Sequence, residues 1–62
     1  MKKQLYEVKI EFMNDETGKK EIVIESHKAK NPQSAEIAAL ENFEECYGSS
    51  AYDVKVISIR SE

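Results

Sequence analysis

The fold turns on one stretch, Lys30–Gly48, with the sequence KNPQSAEIAALENFEECYG. Asn31 is a preferred N-cap, because its side-chain oxygen can take a backbone N–H left free at a helix start. Pro32 fits the first helical position, where its missing donor costs nothing. Gly48 suits the left-handed residue that commonly follows a helix. Between these marks, at 100° per residue, Ala35, Ala39, Leu40, Phe43, Cys46 and Tyr47 gather on one side. This predicts a helix with a core-facing stripe. Small Ala35 and Ala39 let its first half lie close to a sheet, and Phe43 fills the wider second half.

The flanking segments supply that sheet. Residues 4–13, QLYEVKIEFM, put Tyr6, Val8, Ile10 and Phe12 on one face and Leu5, Glu7, Lys9, Glu11 and Met13 on the other. That period of two predicts a strand with one buried face. Residues 14–20, NDETGKK, are a turn in which Asn14 and Gly18 can take positive φ. Residues 21–29 are a second strand, so the first thirty residues form a hairpin. After a short GSSA loop, residues 52–60 form a third strand. The predicted architecture is α+β, a two-layer ββαβ unit with a three-stranded antiparallel or mixed sheet and one helix on one face. A right-handed crossover puts the third strand beside the first or beyond the second. The order 2-1-3 is favoured, because the first strand alternates most cleanly, as a central strand wet on one face does.

The other two strands break that alternation. Ile22 and Ile24 share one face while Val23 takes the other. Tyr52, Val54 and Val56 share one face, then Ile57 and Ile59 take the opposite one. A β-bulge would flip the facing. Alternatively both faces are buried, the second against another copy or a partner, or the register is misread. Burial of both faces would leave Val23 or Ile57 exposed in an isolated monomer.

Sixty-two residues make one domain, spanning 1–62. A chain this short buries only about 60% of its unfolded surface. With 40% hydrophobic and 34% charged residues it reads as a globule rather than a disordered chain. It has no apolar run near the roughly 18 residues of a membrane span. Its start lacks the continuous apolar stretch of a signal peptide, so a cytoplasmic location is expected. One cysteine cannot close an internal disulfide, and one cysteine with one histidine cannot build a structural zinc site. No metal, cofactor or catalytic residue is expected, since no nucleophile–base pair can be assembled. Cys46, on the apolar stripe, reads as a small core hydrophobe. His27 reads as a surface or half-buried histidine.

Charge supplies the binding hypotheses. Net charge is −3, yet residues 1–30 carry seven lysines against six acids, while 31–54 carry five acids and no base. Ile37 falls opposite the apolar stripe, one turn from Glu41 and two from Glu44. An isoleucine ringed by carboxylates looks like a small docking surface, so a protein partner is expected. A homodimer through an edge strand or the open sheet face is expected beside it. Lys19 and Lys20 are expected to offset Glu44 and Glu45 through weak surface pairs. The alternative function is nucleic-acid or phosphate binding. The hairpin brings Lys2 and Lys3 near Lys28 and Lys30 beside the helix N-terminus, whose free N–H groups favour anions.

The layout YEVKIEF, then A-x-N-x-x-x-A, AL-x-x-F, YG and VKVISI, is similar to small proteins of bacteriophages and mobile elements. It also loosely resembles the archaeal ribosomal protein family LX, in which a strand pair leads through an alanine and an asparagine into a helix. The residues carrying this are Tyr6, Ala29, Asn31, Ala35 and Gly48. The first resemblance implies an accessory or host-inhibiting protein, and the second implies ribosomal RNA binding.

Overall fold

Strand β1 (Gln4–Asn14) lies at the centre of the molecule, in a computed structural model that describes residues 3–61. Its neighbours are β2 (Lys19–Ala29) and β3 (Ala51–Ser61), both antiparallel to it, in the order β2-β1-β3. Helix α1 (Pro32–Tyr47) packs on one face. The predicted ββαβ sandwich is therefore present, with a purely antiparallel sheet.

Period two decides the core. Tyr6, Val8, Ile10 and Phe12 are buried beneath Ala35, Ala39 and Phe43 of the helix, with Ala29 closing one end. Spacing four along the helix lines up its three buried residues, and the two alanines bring the backbones together. The edge of Phe12 meets Phe43 with ring centroids 4.9 Å apart. Tyr47 stacks on Phe43 at 5.0 Å and closes that end of the core. Aromatic pairs at these distances add to the stabilisation from burial alone.

The turns follow from their polar residues. The Asn14 carbonyl accepts from Gly18 N–H at 2.7 Å, and its side-chain oxygen accepts from Glu16 N–H at 2.9 Å. Gly18 takes φ 70°, which glycine tolerates without cost. At the helix start, Asn31 Oδ1 accepts from Ser34 N–H at 2.8 Å, with Pro32 in the first turn. The helix end differs from expectation. Gly48 is right-handed, at φ −46°, and donates to the Glu44 carbonyl at 2.8 Å. Glycine is needed there for closeness instead: a Cβ would lie 2.5 Å from that carbonyl oxygen. The Ser50 carbonyl then accepts from Asp15 N–H at 2.7 Å, tying the α1–β3 loop to the hairpin turn.

The two irregular strands resolve differently. β3 carries two register shifts against β1, at Lys9/Ile10 and Glu11/Met13. The first skips Ile57 and returns both Val56 and Ile59 to the helix face, where they pack on the core. The second lies where Asp53 takes φ 53°. β3 is thus a bulged strand. β2 has no bulge: it pairs with β1 in one continuous register from Gln4↔Ala29 to Asn14↔Lys19. Val23 packs against the core, while Ile22 and Ile24 face the open side, 52% and 55% exposed. Ile57 is 42% exposed as the bulged residue. The exposed apolar residues of β2 are therefore its isoleucines and not Val23.

Candidate interaction surfaces

The register sorts every strand residue onto the helix face or the open face. The open face is built in rows across β2, β1 and β3. Its middle rows are Ser26–Glu7–Arg60, Ile24–Lys9–Ser58 and Ile22–Glu11–Lys55, with Lys20–Met13–Tyr52 nearest the hairpin turn. Glu11 lies 3.3 Å from Lys55 and 3.7 Å from Lys20. The centre of this face is a ladder of alternating charge, held by weak pairs. The isoleucines stand apart from it along β2.

On the other side of β2, Glu25 points under the helix. Its Oε1 lies 2.7 Å from His27 Nε2 and accepts from Asn42 Nδ2 at 2.9 Å. Glu25 and His27 are both half-buried or better in their side chains, at 14% and 24% exposure. The contact joins β2 to α1 and confirms His27 as half-buried. Nothing in the sequence paired Asn42 with Glu25, because that contact depends on how the helix lies across the sheet.

The predicted docking residues stand where the helical wheel put them. Ile37 is 54% exposed, and Glu41 and Glu44 are exposed on the outer face of α1. Glu44 also borders a groove of about 260 Å³ between α1 and β3, lined by Leu40, Phe43, Gly48, Ala51 and Val54. That groove was not legible in the sequence, since it needs the bulged course of β3. Cys46 is exposed rather than buried. The row facing the sheet is 35, 39, 43 and 47, and Cys46 lies beside it in the last turn, where Tyr47 covers Phe43 and Phe12.

The lysines share one end of the hairpin but not one face. Lys28 pairs across from Leu5 and so belongs to the open face, whereas the helix start lies over the opposite one. Lys3 and Lys30 are exposed at the same end of the hairpin, and Lys2 lies outside the described residues. Of the N–H groups at the helix start, that of Ser34 is already taken by Asn31 Oδ1 and that of Ala35 by the Asn31 carbonyl. Lys20 reaches Glu11 on the open face, so it cannot offset Glu44 or Glu45 across the sheet.

Among the described residues no group of three or more His, Cys, Asp or Glu could hold a metal ion. Among them, no helix is long and apolar enough to cross a membrane. No protein-family model matches the chain, and neither a curated protein nor a solved structure does. The resemblances drawn from Tyr6, Ala29, Asn31, Ala35 and Gly48 therefore have no further support from known proteins.

Proposed function

We propose that this chain is a small, non-catalytic protein-interaction module, of the kind that serves as an accessory or inhibitor protein in phages and mobile elements. It acts by presenting surface: the outer face of α1 at Ile37, Glu41 and Glu44, or the free edge of β2. The observation that carries the reading is exposed apolar surface. Ile22, Ile24 and Ile37 are each more than half exposed, against eight buried hydrophobic residues among those described. Ile22 and Ile24 lie side by side on the open face of the sheet, and Ile37 stands among carboxylates on the outer face of α1; apolar surface left in water at these two places favours covering by another chain.

The test compares capture from lysate of the source cell by the tagged chain and by an Ile37→Ala/Glu41→Lys/Glu44→Lys variant, with and without nuclease. A stoichiometric protein that survives nuclease and is lost with the variant is the expected result. Capture unchanged both by that variant and by substitutions along β2 overturns the reading. Capture that vanishes with nuclease moves the function to Lys3, Lys28 and Lys30, whose binding would be salt-sensitive.

A further inference from the structure

We infer that the β2 edge pairs with itself: its partner is a second copy of this chain, joined strand to strand about Ile24. The inference rests on the interaction-module reading and names the occupant of one of its two surfaces. Edge strands invite pairing unless they are bulged, shortened or charged. β3 is bulged twice and holds Asp53 at positive φ. β2 is regular over eleven residues and contains no proline, and its charged residues, Lys19, Lys20, Glu21, Glu25 and Lys28, leave the run Ile22–Ile24 uncharged. Its middle, Glu21–Glu25, reads EIVIE, with β-branched residues at three consecutive positions.

The sequence of β2 also selects a register. A two-fold axis perpendicular to the sheet keeps facing residues on one side, so one residue of β2 must lie on the axis. With Ile24 there, all eleven residues from Lys19 to Ala29 are paired. Ile24 then stands against Ile24 of the second copy, with Ile22 of each copy on the diagonal, and four exposed isoleucines close over one another. On the helix face Glu21 stands opposite His27 of the second copy, twice. Moving the axis to Val23 shortens the overlap by two residues and sets Glu21 against Glu25 twice. Moving it to Glu25 sets that carboxylate on its own copy. The Ile24 register carries two opposing terms, each occurring twice: Val23 against Glu25 on the helix face, and Lys20 against Lys28 near the strand ends. Both lysines are exposed, and Glu11 draws Lys20 back at 3.7 Å. Eleven residues of strand extend about 36 Å, close to the 41 Å length of the molecule. A single strand edge is still a narrow interface, so the association is weak and concentration-dependent.

Sedimentation velocity from micromolar to millimolar concentration tests the pairing. The expected result is a mass that doubles from 7.1 kDa for the wild type. Ile24→Lys should stay at the monomer mass throughout, with an unchanged circular dichroism spectrum. Cross-linking tests the register. In a Cys46→Ser background, Ile24→Cys should form an intermolecular disulfide on mild oxidation, because directly facing residues lie within disulfide reach. Ile22→Cys alone should not, but mixed with Ser26→Cys chains it should. A wild type that stays monomeric, or an Ile24→Lys chain that dimerises equally well, overturns self-pairing. Cross-linking at Ile22 and not at Ile24 overturns the register. A monomeric wild type would still leave the outer helix face to be judged by its own variants.

Discussion

At the scale of single residues, two backbone positions carry more than their composition suggests. Gly48 ends the helix in ordinary right-handed geometry, so its role is space. A methyl group there would sit 2.5 Å from the Glu44 carbonyl oxygen and push apart the 2.8 Å bond it accepts from Gly48 N–H. Overpacking of this kind costs about 1–3 kcal/mol, more than the gain in helix propensity from alanine, which is about 1 kcal/mol. Gly48→Ala should lower the urea midpoint with an unchanged m-value. Asp53 is the opposite case. It holds φ 53° with a side chain that tolerates that region only better than most. Asp53→Gly should raise the urea midpoint, by up to about 1 kcal/mol in stability, because the left-handed penalty of a side chain is about 1–2 kcal/mol and glycine returns part of that as entropy.

At the scale of elements, the helix is held by three buried side chains, and only Phe43 is large. Native domains have about 0.05–0.15 kcal/mol of stability per residue, or roughly 3–9 kcal/mol for a chain of this length. A buried phenylalanine cut to alanine costs about 3–5 kcal/mol. Phe43→Ala also removes two of the three ring contacts at that end of the core, leaving only Phe12 against Tyr47. It should leave the chain largely unfolded at room temperature, seen as loss of helical circular dichroism. Asn31→Ala removes one 2.8 Å cap bond and should cost only about 0.5–2 kcal/mol, leaving a folded chain with a lower melting temperature. Periodicity and caps made β1 and α1 legible because those signals are local. The bulges of β3 were not, since a bulge exists only relative to the strand opposite. Val56 and Ile59, three apart, share a face only after Ile57 is skipped. The exposure of Cys46 escaped the helical wheel for a related reason. A wheel gives direction but not whether anything lies in that direction at the helix end.

At the scale of the whole molecule, the sandwich has one helix for two sheet faces, so half of the sheet has no layer of its own. Charge solves this over the central strand, where Glu7, Lys9 and Glu11 alternate and Glu11 is flanked by Lys20 and Lys55. It does not solve it along β2, where Ile22 and Ile24 remain in water. Self-pairing and stability are linked through that difference. A second copy that binds the folded chain and not the unfolded one stabilises the fold in proportion to the logarithm of concentration. The melting temperature of the wild type should therefore rise with protein concentration, and the rise should be absent in Ile24→Lys. At low concentration the two chains should melt within a few degrees of each other, because an exposed residue on a wet face contributes within about 0.5 kcal/mol. A calorimetric series over a hundredfold range of concentration decides it. A flat wild-type melting temperature would mean that the isoleucines of β2 are not covered by a second copy.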